Sequence, residues 1–376
     1  MKVPVHIARF LVGLLFIFSG LVKANDPLGL SYKMQEFFEL WGMTRFNGWT
    51  LTLSVLMNAF EIIAGMALLL GWRIRLFSWL LLALILFFTF LTGYAFLSGK
   101  FRSCGCFGDC LPIDARSSFV KDLILLGLIG LLFQKQEHIR ALGQPRTRNV
   151  TMLVTALIAF GLQWYALTFL PLKDCLPFRK GNNIPALMRI PEGARPDSFA
   201  IRFIYKKDGK EYEFSPLELP ADLATYIFVS RQDKLIRRGN AEPTIKGFSL
   251  TGSTNIDSTN EVLALPAAVL LFAENFEKPS SRWERSFADL VSTAAAKRVP
   301  VYLVTAQPDQ AREKVTSGSF PAIPVFRCDN TAIRTAARTN PCLLVLENGT
   351  IRGKYSRYGF GRARRQLERL RTASAP

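Results

Sequence analysis

Histidine is nearly missing from this sequence. Only His6 and His138 occur in 376 residues, so a zinc site of mixed cysteine and histidine ligands has little to draw on. Paired Cys-x-x-Cys units, the other common source of zinc ligands, are absent as well. Acidic residues are few, 29 against 47 lysines and arginines, and the formal net charge is +18. No small-residue cleavage site follows the first apolar run, so that run is expected to be a retained anchor and not a removed signal peptide.

What the sequence has in quantity is apolar residues, 49% of the chain, with a positive mean hydropathy. They gather in runs at 7–22, 51–70, 76–97, 119–133 and 152–170, each close to the ~20 residues that cross a ~30 Å hydrocarbon core. Five transmembrane helices are expected. The fourth run is the shortest, and its ionic start at Lys121 and Asp122 is expected at the membrane interface. Lys2 and Arg9 lie at the start of the first apolar helix, Arg73 and Arg75 separate the second and third runs, and Lys135, Arg140, Arg146 and Arg148 separate the fourth and fifth. These ends are expected in the cytoplasm. The opposite loops, 24–50 and 99–118, mix both signs, so everything after residue 170 is expected outside. The charge excess divides into 15 basic against 8 acidic residues before position 171, and 32 against 21 from there on. Nucleic acid is not the expected partner of an outward-facing domain. The stretch RGKYSRYGFGRARRQLERLR reads as a solvated basic helix, with anionic lipid headgroups or an acidic partner as the alternative.

Three of the six cysteines, Cys104, Cys106 and Cys110, fall in RSCGCFGDCLP. Cys175 follows the fifth run, and Cys328 and Cys342 come later, so all six are expected in one compartment, which in a bacterial envelope is oxidising. The cluster permits a zinc site, a structural clasp or an exchange centre. Zinc is disfavoured by the missing fourth ligand. Exchange is favoured where a short-loop disulfide, such as Cys104–Cys110 or Cys106–Cys110, is strained and more readily reduced. Gly105 and Gly108 let the backbone bend there. Cys175 can instead pair with Cys110 and leave Cys104 and Cys106 for each other, or shuttle between them.

Glu61, in MNAFEIIAGMALLLGW, lies near the middle of an apolar run. An ionisable group there costs about 2.5–3.5 kcal/mol on insertion scales and needs an internal partner, for which Ser19, Asn58 and Lys23 are candidates. Its role is interhelical hydrogen bonding, or else proton release or quinone binding. Gly13, Gly20 and Gly65 would let helices approach closely in either case.

After the membrane runs, 171–190 reads as a Pro- and Gly-containing exit. FAIRFIYKKDGKEYEF reads as a hairpin about a Lys-Asp-Gly turn, within a small subdomain at 191–238. From about Gly239 strands and helices alternate as βαβαβαββ, ending in a hairpin at Glu-Asn-Gly-Thr, which points to an α/β layer with a mixed sheet.

Two family resemblances follow from these residues. SCGCFGDC, between the third run and a helix with Lys-Asp in its start, resembles the MauE branch of the DoxX-like membrane proteins, and SGLVKANDPLGLSYKMQEFF is similar to the DoxX pattern after the first helix. That resemblance covers residues 1 to about 170. It implies disulfide formation or maturation of exported proteins, or quinone-coupled sulfur chemistry, and it matches Cys104 and Cys106 to a Cys-x-Cys-Phe-Gly element. Residues 240–360 resemble a thioredoxin-like fold, with Pro341 as its cis-proline. Glu277, Lys278, Pro279 and Ser280 then stand where a thioredoxin carries Cys-Gly-Pro-Cys, so the usual dithiol reaction is lost there. Cys328 and Cys342 are expected to be a structural disulfide or two unpaired thiols before a displaced redox centre, and the surface at Pro341 and Cys342 is a candidate for binding a partner.

The expected architecture is therefore an all-α transmembrane bundle (1–170), a linker and β-hairpin subdomain (171–238), and an extracytoplasmic α/β thioredoxin-like domain without Cys-x-x-Cys (239–376). The expected function is a membrane thiol–disulfide oxidoreductase or maturation factor for exported proteins. Cys104, Cys106, Cys110 and Cys175 would pass electrons towards a membrane quinone near Glu61. The alternative is a non-enzymatic scaffold that docks an envelope protein complex.

Overall fold

The computed structural model describes residues 2–99, 105, 107–237, 239–276, 283–317 and 320–369. Its first half is helical. In chain order come α1 (Lys2–Ala24), α2 (Pro27–Leu40), α3 (Thr50–Leu70), α4 (Ile74–Ser98), α5 (Ala115–Gln134) and α6 (Pro145–Phe169). Among the described residues, five segments are long and apolar enough to cross a membrane: Pro4–Ala24, Thr44–Leu70, Ile74–Ser98, Ala115–Gln134 and Pro145–Phe169. These are the five runs the sequence marks.

The first and third helices approach closely because glycine lines their contact. A Cβ on Gly65 would lie 2.6 Å from the Gly13 carbonyl oxygen, and one on Gly20 would lie 2.6 Å from Ile62 Cγ1. Across the third and sixth helices, Asn58 Nδ2 donates to Gln163 Oε1 at 3.2 Å, and Gln163 Nε2 donates to the Val55 carbonyl at 3.1 Å. Such amide bonds join helices where hydrophobic burial gives little discrimination from lipid. At one end of the bundle the buried Arg9 donates to the carbonyls of Leu68, Leu69 and Arg140, which closes the carboxyl-terminal turn of α3.

The opposite end carries α2, which no apolar run announces. Asp26 starts it by accepting from the Gly29 N–H at 3.2 Å, Pro27 occupies its first turn, and Gly29, Ser31 and Phe37 are buried. Ser54 donates to the Pro27 carbonyl at 2.7 Å, so the new helix is tied to α3.

Beyond α6 the chain turns through the short α7 (Ile184–Leu187) into a three-stranded antiparallel sheet of β1 (Ser198–Lys207), β2 (Lys210–Phe214) and β3 (Ile227–Arg237), ordered β2-β1-β3. The expected hairpin closes at Asp208 and Gly209, which have φ of 50° and 80°. Two consecutive positive φ values match the right-handed twist of the flanking strands. The third strand goes beyond the hairpin that was expected.

The last region contains α8 (Thr259–Ala264), β4 (Ala268–Ala273), α9 (Trp283–Ala296), β5 (Val301–Thr305), α10 (Pro308–Thr316), β6 (Val325–Arg327), α11 (Asn330–Ala336), β7 (Cys342–Glu347), β8 (Thr350–Ser356) and α12 (Phe360–Arg369). The sheet order is β6-β5-β4-β7-β8; β4, β5 and β6 are parallel, and β7 runs antiparallel to both β4 and β8. Alternation decides the layers. Val269, Leu271, Leu343 and Val345 face Phe287 and Leu290 of α9 and Phe360 and Leu367 of α12, while Leu270, Phe272, Leu344 and Leu346 face Ile333 and Ala336 of α11. The exit segment is part of this unit: Phe178 and Ile184 are fully buried in the second layer, and the Ile184 N–H donates to the Gly349 carbonyl at 2.9 Å.

Candidate functional site

The loop between α4 and α5 turns at Gly105 and Gly108, both at positive φ, and delivers Cys110 to Cys175, with which it forms a disulfide. Asn25, at the end of α1, brackets the second cysteine's segment from both sides. Its Nδ2 donates to the Lys173 carbonyl at 2.8 Å, and its Oδ1 accepts from the Lys173 N–H at 3.1 Å. Of the pairings the sequence allows, the cross-segment one is formed. The short-loop bonds Cys104–Cys110 and Cys106–Cys110 are not, because Cys110 is already bonded to Cys175. Cys104 and Cys106 themselves lie outside the described residues.

Each bonded cysteine follows a carboxylate that grips the α/β domain. Asp109 Oδ2 accepts from Arg338 Nη2 at 2.7 Å, and Asp174 Oδ2 accepts from Lys354 Nζ at 2.7 Å. Arg338 also donates from Nε to Asp26 Oδ2 at 2.8 Å, with its side chain only 5% exposed. Asp329 caps α11 by accepting from the N–H groups of Thr331 and Ala332, which fixes the helix that carries Arg334 and leads into Arg338 just beyond its end. Arg334 donates to Glu274 Oε1 at 2.7 Å and to Gln35 Oε1 at 2.9 Å, and both guanidinium groups lie over the Tyr32 ring.

Burial sets the electrostatics here. Desolvation pushes the Asp26 carboxyl above its ordinary pKa, with Arg338 pulling it down and Asp109 pushing it further up. Desolvation also works against the Arg338 charge, but Asp26 and Asp109 outweigh it and hold that guanidinium above its ordinary value. Tyr32 is raised by burial and then by Glu274.

Two openings flank this clamp. A polar groove of about 600 Å³ runs between α2 and α11 and has Lys33, Glu36, Asp109, Cys175 and Arg334 in its walls. A second cavity of about 600 Å³ lies between the membrane domain and the strand ends of the α/β sheet, with Tyr32, Glu274, Phe276, Asn340 and Pro341 around it. The Asn340–Pro341 bond is cis, as the sequence reading expected. Pro341 is buried, and Cys342 is fully buried in the sheet, so of that pair neither presents itself to bulk solvent. Cys328 and Cys342 are unpaired thiols. Burial pushes both up to about 11, which makes them poor nucleophiles near neutrality. Glu277, Lys278, Pro279 and Ser280 lie outside the described residues.

Within the membrane domain, Glu61 pairs with Lys23, which was among its three candidate partners. Their side chains are 1% and 2% exposed. A second pair joins the buried Asp122 to the partly exposed Lys121 at 2.8 Å, and Thr92 Oγ1 donates to Asp122 Oδ2 at 3.0 Å. Asp122, in the ionic start expected at the membrane interface, lies two turns into α5, which begins at Ala115 capped by Asp114 through the Ser117 N–H, and it is buried within the protein. Lys23, Glu61, Lys121 and Asp122 border one cavity of about 30 Å³, large enough for a water molecule. On its other side Lys23 borders an apolar cavity of about 230 Å³ walled by Phe37, Trp41, Phe87, Phe88 and Gly105.

Sequence reasoning missed the clamp. Asp26 has no signal beyond its place in the NDPLG stretch, and Arg338 has no periodic or motif signal at all. Comparison with known families bears on the first third of the chain: residues 1–134 match the family model of methylamine utilisation protein MauE, as the SCGCFGDC resemblance implied. Residues 199–238, which contain the three-stranded sheet, match a domain of unknown function, DUF8463. No curated protein and no solved structure matches the chain.

Proposed function

We propose that this protein is a membrane thiol–disulfide oxidoreductase serving the maturation of exported proteins, set in a bacterial inner membrane with its amino terminus in the cytoplasm and its α/β domain in the periplasm. The observation that carries the reading is the Cys110–Cys175 disulfide. It joins two segments at the α/β-domain end of the bundle, and Cys175 forms part of a groove wall. A disulfide within reach of a client thiolate can pass its oxidising equivalent on by exchange. The orientation follows the Lys and Arg bias of the short loops, and it places this bond where disulfides persist.

The α/β unit reads as thioredoxin-like. Its β4, β5, β7 and β8, with the flanking α9 and the closing α12, have the order and directions that fold requires. It lacks Cys-x-x-Cys, and its two thiols are buried, so its role is to dock and orient while the membrane loops hold the reactive sulfur. The 230 Å³ apolar cavity fits an aromatic, lipid-soluble group with a polar edge, because its walls are aromatic and Lys23 supplies a cation at one side. A quinone held there would accept two electrons and two protons. Cys104 and Cys106 flank Gly105 in sequence, and they are assigned to pass electrons from the Cys110 and Cys175 pair to it.

A scaffold role is the second reading, favoured by the exposed Asn340 beside the cis bond to Pro341, where both residues line the second cavity. Acid-quenched alkylation with disulfide mapping on fresh membranes separates the two. The exchange reading expects a Cys110–Cys175 population that shifts under a mild thiol reductant while Cys328 and Cys342 stay constant. A bond that is fully formed and unmoved leaves the scaffold.

A further inference from the structure

Exchange at a disulfide has a direction, because an incoming thiolate must approach one sulfur along the S–S axis and expel the other. Both cysteines are half-buried, but they are differently placed. Cys175 stands in the wall of the polar groove between α2 and α11, together with Lys33, Glu36, Asp109, Arg334 and Arg338; Cys110 is not among the groove's lining residues. The Asn25 side-chain amide lies 4.0 Å from Cys110 Sγ.

We infer that a client thiolate attacks Cys175 through this groove, that Cys110 is the leaving sulfur, and that the client is a cysteine in an extended polypeptide segment. The inference rests on the exchange reading above and fixes its regiochemistry. In the first step the client sulfur bonds to Cys175 Sγ, the Cys175–Cys110 bond breaks, and the electron pair leaves on Cys110 as a thiolate. The Asn25 amide is close enough to turn a donor towards that new charge. A second client thiolate then attacks the client sulfur and releases Cys175. The client loses two electrons as its disulfide forms, and Cys110 and Cys175 gain them as a dithiol.

The groove's chemistry selects the client class. At about 600 Å³ it falls within the ~300–1,000 Å³ of ordinary ligand sites. Its walls carry Lys33, Arg334 and Arg338 against Glu36, Glu39 and Asp109, with Asn330, Thr331 and Thr335 along one side. Charges so balanced give no strong preference for a small anion, whereas alternating donors and acceptors suit the amides of a peptide backbone.

The test uses the full chain in detergent with Cys104→Ser and Cys106→Ser introduced, so that neither of those thiols resolves the adduct, and the acid quench protonates the freed Cys110 thiolate before it can. The oxidised protein is mixed with a short synthetic peptide carrying one central cysteine among glycines and serines, acid-quenched and mapped by mass spectrometry. The same reaction on the unsubstituted chain checks that the background has not altered the fold. The expected result is adduct on Cys175 in excess over Cys110 by about tenfold or more, and faster reaction with the peptide than with glutathione. Adduct chiefly on Cys110 overturns the inference but leaves exchange standing. Equal rates with glutathione overturn the client class. An intact Cys110–Cys175 bond with no adduct on either residue removes the exchange reading itself.

Discussion

Arg338 donates to Asp109 across 229 positions of sequence, at 2.7 Å, and the same guanidinium reaches Asp26 at 2.8 Å. One side chain of the α/β domain thereby closes on two separate segments of the membrane domain. Replacing it by methionine keeps much of the packing but strands two carboxylates, one of them buried. Removing one partner of a buried pair costs about 3–5 kcal/mol. Arg338→Met should therefore lower the thermal unfolding midpoint in detergent and speed proteolysis between the two domains. Adding Asp26→Asn should recover part of the loss, and an unchanged midpoint in the single variant would mean that the clamp does not hold the domains.

The pH dependence of the same contact has a definite sign. Asp26 has a raised folded pKa against an ordinary value of 3.8, so in the window above 3.8 the folded state holds a proton that the unfolded state has released. Its contribution to stability is largest below that window and falls as pH rises through the folded pKa. The stability of the natural chain minus that of Asp26→Asn should therefore decline with pH over this range; a difference that grows with pH contradicts the buried assignment.

How much of this was legible in the sequence depends on the range of each signal. The five spans and the βαβαβαββ order rest on apolar runs and local turns, and residues such as Asp208-Gly209 and Asn348-Gly349 mark their hairpins without tertiary help. The amphipathic α2 was not legible, because its cap and its contact with α3 use Asp26, Ser31 and Ser54, which look like loop residues in isolation. Glu61 was visible as an anomaly in an apolar run. Asp122 is marked as ionic by the sequence but not as buried, since only the position of the α5 cap shows how far inside the helix it lies. Arg338 was invisible because its meaning comes from two carboxylates far away in sequence.

The Lys23–Glu61 pair makes a sharper test than either residue alone. Both side chains are almost fully buried, so Lys23→Met or Glu61→Met leaves a lone charge where water is scarce, at about 3–5 kcal/mol. The double variant removes both charges and should regain most of that loss, a coupling of the size contacting residues show. Chemical unfolding of the four chains in matched detergent measures it. Additive losses would show that the two groups do not depend on each other.

Cys328 and Cys342 predict behaviour at alkaline pH. Their thiols are raised from 9.0 to about 11 by burial. The unfolded chain ionises them first, so their contribution to stability is present below about pH 9 and is lost as pH rises through 11. At pH 8 both should resist iodoacetamide in the folded protein and react once it is denatured. Cys328→Ala should flatten the fall in stability between these limits, and rapid labelling of the native protein at pH 8 would contradict the burial that explains it.

The last prediction joins the disulfide to domain docking. Asp109 and Asp174 immediately precede Cys110 and Cys175, and they hold Arg338 and Lys354 respectively. Opening the bond frees both carboxylate-bearing segments at once. In the chain-entropy picture, cross-linking residues 65 apart is worth about 4 kcal/mol. That is an upper bound here, because α5 and α6 lie between them and restrict the chain whenever they remain in the membrane. The docking effect does not depend on that bound. Reduction, or the paired Cys110→Ser and Cys175→Ser change, should raise proteolytic cutting between the domains, and Lys354→Met should enhance the effect of reduction more than it affects the oxidised protein. If reduced and oxidised chains are cut at the same rate, the carboxylates hold the domains without help from the bond, and the disulfide's role is confined to its sulfur chemistry.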